Sequence, residues 1–294
     1  MTIVQLEYLI AVANCGSFSV ASQRCFVTQP SLSMQIKSLE EELGVILLDR
    51  SKKPVIPTEI GVTVIRNARE AIKACHYIGE SLKELKGEVV GMLRLGVIPT
   101  VAPYLMHRFL PDFMRRYPKV DLELHEMLAE PIIHALHHDR LDAAILTGGT
   151  SPDNIIEHKL FNDKLYAYVS PMHRLRERAN IRIEDINNRD TVLLCEGNCL
   201  RDQIVELCRL RPGSHRNHFS HCSSLETLIR IVDTTSAITI IPEMIIPFIP
   251  QERQGQVKTF AKNSVSRQIV IAVRRTYVKE LLINALKESI IRSY

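Results

Sequence analysis

The apolar positions of this 294-residue chain change their period about a third of the way along it. Leu6, Leu9, Ile10 and Ala13 make one helical stripe over residues 3–14. Gly16 ends that helix, and Ser17 caps a second, short one that runs to about Cys25. Thr28 is the N-cap of a third, with Pro30 tolerated in its first turn because a proline's missing N–H is unpaired there anyway. Leu32, Ile36, Leu39 and Leu43 form its buried face, and Gly44 closes it. Leu47 to Thr58 predicts a short hairpin with Arg50, Lys52 and Lys53 toward its tip. From Thr58 to about Lys86 one long helix is expected, with Ile65, Ala68, Ile72, Cys75, Gly79, Leu82 and Leu85 as a coiled-coil seam. Beyond Gly87 and Gly91, strands are predicted at Leu93–Ile98, Leu122–Glu126, Ala143–Leu146, Tyr166–Val169, Val192–Cys195, Ile238–Ile241 and Ile269–Val273. Helical stretches such as 103–116, 224–233 and 278–292 lie between many of them, so this part is an α/β domain.

Two helices joined by a tight turn are either a helix-turn-helix or an ordinary corner of a bundle. The polar residues at the start of the third helix, Ser31, Ser33, Gln35 and Lys37, suit the first reading, because the N-terminal part of a recognition helix reaches base edges. The basic hairpin directly after it adds residues able to neutralise phosphates beside the groove. Together they give a winged helix-turn-helix. Pairing of the long helix would supply a dimer for two half-sites.

Composition changes this picture little. The net charge of +4 is a mild excess, and charges nearly balance within residues 1–86, so the expectation of DNA binding rests on pattern. At 46% apolar residues the chain can bury cores in two or three domains. The N-terminus lacks the features of a signal peptide, and the longest apolar stretch, Ala237 to Pro250, is broken by Pro242, Glu243 and Pro247. A cytoplasmic protein without a membrane span is expected. His134, His137 and His138, and again His215, His218 and His221, have spacings that a metal site could use, but no second ligand set accompanies them. No metal and no cofactor are expected.

The seven cysteines are Cys15, Cys25, Cys75, Cys195, Cys199, Cys208 and Cys222. Asn198 is a good N-cap for a helix in which Leu200, Ile204 and Leu207 share a face, so Cys199 falls in the first turn with Arg201 close by. A helix N-terminus and a cation both favour the nucleophilic thiolate. Cys208 lies nine positions further on, about 13 Å away along a continuous helix, whereas a disulfide needs Cα atoms within about 7 Å. The residues leave two readings open. Either these are unrelated core thiols, or Cys199 is oxidised and Cys208 resolves it while the segment rearranges.

The motifs Gly16-Ser17-Phe18-Ser19, Val27 to Ser33, Ile36 to Glu40, Leu43-Gly44 and Pro57 to Gly61 occur in an order that resembles LysR-type regulators. That resemblance implies that Thr28, Gln29, Pro30, Ser31, Ser33, Gln35 and Lys37 enter the major groove while Arg50, Lys52 and Lys53 approach the DNA backbone. It also implies a two-lobed regulatory domain like a periplasmic binding protein. The expected divisions are a DNA-binding domain at 1–58, a linker and dimerisation helix at 59–88, and a regulatory domain at 89–294. In the last, 91–162 with 268–294 form one lobe and 163–267 the other.

Gly197, Cys199 to Gln203 and Cys208, with Leu95 to Val101, Leu124 to Glu126, His218-Phe219 and Ser223 to Leu228, are similar to the OxyR-type peroxide sensors across the whole chain. This resemblance selects the second reading: Cys199 as the peroxide-reactive thiol and Cys208 as the resolving thiol. It implies that Thr100 helps to hold peroxide, that Asp202 and His218 support the reaction or the switch, and that Arg267 sits near the pocket. The sequence departs from the family pattern at Asn198, where histidine is usual, at Ala129, where threonine is common, and in the turn Thr234 to Ala237. Cys195 adds a third thiol four residues before Cys199. The implied partners are double-stranded DNA, hydrogen peroxide as signal, further copies of the chain as a dimer or tetramer, and RNA polymerase. Two other functions compete: a regulator answering a small metabolite between the lobes, and a thiol peroxidase, which would need neither wing nor paired helix.

Overall fold

In a computed structural model the described residues are 1–84, 87–149, 151–187, 189–210, 222–261, 265–277 and 279–294. They form two compact units, Met1–Glu88 and Val89–Tyr294.

The first unit runs α1 (Ile3–Cys15), α2 (Phe18–Arg24), α3 (Gln29–Leu43), β1 (Leu48–Asp49), β2 (Ile56–Pro57) and α4 (Glu59–Glu84). Its boundaries are set by side chains. Thr2 and Gln5 make a reciprocal capping box at the start of α1, and Gly16 ends it in the left-handed region at φ 62°. Ser17 and Thr28 cap α2 and α3, and Gly44 at φ 67° closes α3. β1 and β2 pair antiparallel as the wing. Thr58 then accepts the Gly61 N–H at 3.0 Å while donating to the Ile46 carbonyl at 2.8 Å, which starts α4 against the wing. Gly61 has to be glycine, because a Cβ there would sit 2.0 Å from the Leu47 carbonyl oxygen.

Leu6, Leu9, Val12, Leu32, Ile36, Leu39, Leu47 and Leu48 make the core of this unit, and Ile65 and Ala68 of α4 belong to it. This corrects the expected seam. Its first positions are buried within the chain's own unit, with Ile72 packed half-buried beside them. Cys75, an expected seam position, is exposed, and so are Ile60, Ala71, Ala74 and Ile78. The surroundings of Gly79 and the side chains of Leu82 and Leu85 lie outside what is described.

The second unit runs β3 (Gly91–Val97), α5 (Ala102–Arg116), β4 (Val120–Glu126), α6 (Ala129–His137), β5 (Ala143–Thr147), β6 (Ile155–Val169), β7 (Asn180–Ile181), α7 (Cys199–Leu207), α8 (Leu225–Thr234), β8 (Ile238–Pro242), β9 (Val257–Phe260), β10 (Ser266–Arg274) and α9 (Glu280–Ser293). β3 pairs parallel with β4 and β5, and β10 lies antiparallel between β5 and β6. Ile155 to Lys164 of β6 pair with β10, whereas Leu165 to Val169 pair with β8. One strand therefore serves both halves of the unit, and β6 and β10 are the two crossings between them. β5 is buried throughout and β8 likewise, as expected for strands covered on both faces. Val192 to Cys195, read as a strand, is not one. Its pairing is a single bridge from Thr191 to Ile238, after which Cys195 donates to the Cys222 carbonyl at 2.7 Å.

Candidate redox site and nucleic-acid interface

The helix-turn-helix is organised around Thr28, whose hydroxyl accepts the Ser31 N–H at 3.4 Å. Thr28, Gln29 and Pro30 are exposed at the start of α3, as is Lys37, which pairs with Glu41 at 3.6 Å. Ser31, Ser33 and Gln35 are half-buried along the same helix. The wing is tied to α3 by Glu40, whose carboxylate accepts the N–H groups of Leu47 (2.8 Å) and Leu48 (3.2 Å) and the Arg50 guanidinium (2.7 Å). Arg50 also stacks over Phe18, 5.0 Å from the ring centre. Arg50, though exposed, is thus paired within the fold; Lys52 and Lys53 are exposed as well. Phe26, in the turn before α3, escaped the sequence reading. It is 94% exposed with φ 56°, and a turn residue carries no periodic signal.

The candidate redox site lies where α7 begins. Asn198 is buried, and its Oδ1 accepts the Leu200 N–H at 3.1 Å, so the cap predicted from sequence is made. Asn198 is therefore spent on the helix start. Gly197, at φ 82°, turns the chain into this cap beside the Leu128 side chain, just ahead of α6 and Ala129. Cys199 is the first residue of α7 and is half-buried.

Arg267, fully buried on β10, is the hub. Its Nε donates to Asp163 at 3.0 Å, and its terminal nitrogens donate to the Thr100 hydroxyl (2.8 Å) and the Thr100 carbonyl (3.0 Å). Asp163 stands opposite Arg267 in the β6–β10 register, and its other oxygen accepts the Met244 N–H at 3.3 Å. Sequence reasoning missed Asp163, since an aspartate in a strand read only from Tyr166 onward gives no sign of a buried partner 104 residues away. Burial pushes its carboxyl above the usual range, and contact with Arg267 opposes that rise.

Arg267 joins Thr100 by hydrogen bonds and acts on Cys199 through its charge. Burial pushes the Cys199 thiol up, the Asp202 charge adds to the rise, and the backbone N–H and Arg267 oppose it. This corrects two expectations. The balance favours the thiol, because desolvation outweighs the backbone N–H and Arg267. The cation acting on it is Arg267, while Arg201 pairs with Glu196 at 3.4 Å and Asp202 at 3.8 Å. Asp202 is exposed and acts on Cys199 only through its charge. Cys208 caps the far end of α7, packed half-buried on the core, and burial pushes its thiol up to about 12. α7 is continuous between the two cysteines, so about 13 Å of helix separates them. His218, with His215 and His221, lies outside the described residues. Among the described residues no group of three side chains could hold a metal ion, and no helix is long and apolar enough to cross a membrane.

Both units match known proteins. Residues 3–62 match the bacterial regulatory helix-turn-helix model of the LysR family, and residues 86–293 match the LysR substrate binding domain. A hydrogen peroxide-inducible genes activator of Dickeya chrysanthemi is 34% identical over 253 residues, 86% of this chain and 82% of that protein. A full-length OxyR variant from Pseudomonas aeruginosa superposes with a TM-score of 0.79 at 28% identity, covering 100% of this chain and 99% of that one. A hydrogen-peroxide-bound mutant of Corynebacterium glutamicum OxyR gives a TM-score of 0.67 at 26% identity, over 99% and 92% of the two chains. The chain belongs to the LysR family of bacterial helix-turn-helix transcription regulators, in its OxyR-like, hydrogen peroxide-responsive branch.

Proposed function

We propose that this regulator is switched by a reversible disulfide between Cys199 and Cys208, with peroxide received between Cys199 and Thr100. The observation that carries this reading is the buried Arg267, hydrogen-bonded to Thr100 and acting on Cys199 at the start of α7. Because the Thr100 hydroxyl accepts from Arg267, its own hydrogen is available to donate to a peroxide oxygen. The Cys199 sulfur attacks the other oxygen. An S–O bond forms, the O–O bond breaks, and the departing hydroxide takes up the thiol proton and leaves as water. Arg267 and the α7 backbone N–H favour the negative charge that sulfur carries during attack. Cys208 then attacks the sulfenic sulfur, forming the S–S bond as the S–O bond breaks and a second water leaves. The separation of about 13 Å requires α7 to unwind for that step.

In this reading residues 1–58 bind DNA, 59–88 link and dimerise, and 89–294 sense, with lobes at 91–162 with 268–294 and at 163–267. Thr28 to Lys37 read the major groove, and Lys52 and Lys53 meet the phosphates. The exposed stripe of Ile60, Ala71, Ala74 and Ile78 on α4 supports pairing with a second copy. Tetramer formation and contact with RNA polymerase complete the proposal, as does a role for His218 in the switch. Peptide mapping after substoichiometric peroxide tests it. Cys199 linked to Cys208 is expected, and recovery of Cys199 as a reduced thiol under conditions that oxidise other cysteines overturns it.

A further inference from the structure

The segment that has to rearrange in this reading is bounded on both sides by a further cysteine. Cys195 precedes the turn that leads into α7, and Cys222 precedes α8. The two backbones are directly joined, since the Cys195 N–H donates to the Cys222 carbonyl at 2.7 Å. With ordinary bond lengths on either side of that hydrogen bond, the two Cα atoms cannot lie more than about 6.9 Å apart even at full extension. Bending at each atom brings the separation to about 5–6 Å, close to the value for a hydrogen-bonded pair of strand residues. That is within the range a disulfide spans, which is not true of Cys199 and Cys208 across α7. Both side chains are half-buried, so each leaves a part that a small oxidant can reach. The Cys222 sulfur donates to the Ser224 carbonyl at 3.2 Å, which fixes its side chain.

The geometry points to Cys195 and Cys222 as a second peroxide-oxidisable pair, a clasp at the base of the segment that contains Cys199 and Cys208. Cys195 attacks first, because the Cys222 thiol hydrogen is engaged by Ser224. The sulfur of Cys195 displaces hydroxide from hydrogen peroxide, giving a sulfenic acid and, with the thiol proton, one water. Cys222 then attacks that sulfur, the S–S bond forms, the S–O bond breaks, and a second water leaves. Two electrons from the thiol pair reduce one peroxide to two waters. The clasp joins the ends of the segment without consuming either switch cysteine, so Cys199 and Cys208 remain free to pair inside it. It requires no movement of α7, in contrast to the switch disulfide. Cys195 is thereby assigned to Cys222 and not to Cys199.

The test uses the full chain with Cys199→Ser and Cys208→Ser, so it does not depend on the switch. Reduced protein is treated with hydrogen peroxide, blocked with N-ethylmaleimide, and digested without reductant by a protease that cleaves after Glu196. Mass spectrometry is expected to find the Cys195 peptide linked to the Cys222 peptide, with loss of two alkylatable thiols per chain. Adding Cys222→Ser abolishes the linked species. Wild-type protein, which removes any dependence on the folding of the variant, is expected to show the Cys195–Cys222 link alongside Cys199–Cys208. Recovery of Cys195 and Cys222 as maleimide adducts after peroxide, or a Cys195–Cys199 link in the wild type, overturns the assignment.

Discussion

Replacing Asp163 by asparagine tests how the crossing strands hold the redox site. The side chains of Asp163 and Arg267 are both 0% exposed and meet at 2.9 Å. Asparagine keeps an oxygen able to accept the Met244 N–H but turns an amide toward the guanidinium, leaving a buried positive charge without its counter-ion. Breaking a buried pair from one side costs about 3–5 kcal/mol. For a unit of this size each kcal/mol moves the midpoint by about 2–4 °C, so thermal unfolding of the second unit should fall by about 6–20 °C. Circular dichroism under reducing conditions measures it, with urea unfolding as a check. Arg267→Met on top of Asp163→Asn should restore much of the loss, because the stranded charge is then gone. A loss under about 1 kcal/mol for Asp163→Asn, the range of an exposed pair, would refute the reasoning.

The remaining predictions concern protons and charges. Because burial holds the Cys199 thiol above its ordinary range, the thiolate that attacks peroxide is a minor species at pH 7. Its oxidation rate, followed by stopped-flow at limiting peroxide, should keep rising with pH from 7 to 9, and a plateau below pH 8 would contradict this. The folded Cys208 thiol titrates near about 12 against 9.0 when free, so its stabilising contribution is complete below pH 9 and is lost between 9 and about 12. Cys208→Ser should flatten the alkaline fall in stability over that window. Lys52→Ala and Lys53→Ala should each weaken DNA binding uniformly across sequences and lower the slope of log affinity against log salt by about 1. Arg50→Ala should instead lower the stability of the first unit, since it strips Glu40 and Phe18 of their partner.

The helix-turn-helix was legible because its signals are local: Thr28 before Pro30, a four-residue apolar stripe, and Gly44 where a left-handed residue is needed. The start of α7 was equally local, since Asn198 capping Leu200 lies within three residues. What escaped depends on distant partners. Arg267 and Asp163 meet only because β10 runs beside β6 over Ile155 to Lys164, and neither strand's pattern alone reveals the pairing. Only Tyr166 to Val169 of β6 was read, because Ile155 to Lys164 mixes charged and apolar residues while pairing with β10 rather than β8. Helical period likewise shows that α4 has apolar stripes but not which one its own unit uses. Packing on α1 buries Ile65 and Ala68 and leaves a stripe rotated by roughly 100°. The thiol state of Cys199 followed from burial, which a sequence does not state.

A DNase footprint on DNA selected by the reduced full-length protein, repeated after peroxide and after reductant, tests the central claim most directly. The account predicts that the protected pattern of the wild type shifts on oxidation, returns on reduction, and is fixed in both Cys199→Ser and Cys208→Ser. A wild-type footprint unchanged while mapping shows the Cys199–Cys208 disulfide formed, or a peroxide-dependent shift that persists in Cys199→Ser, would contradict it.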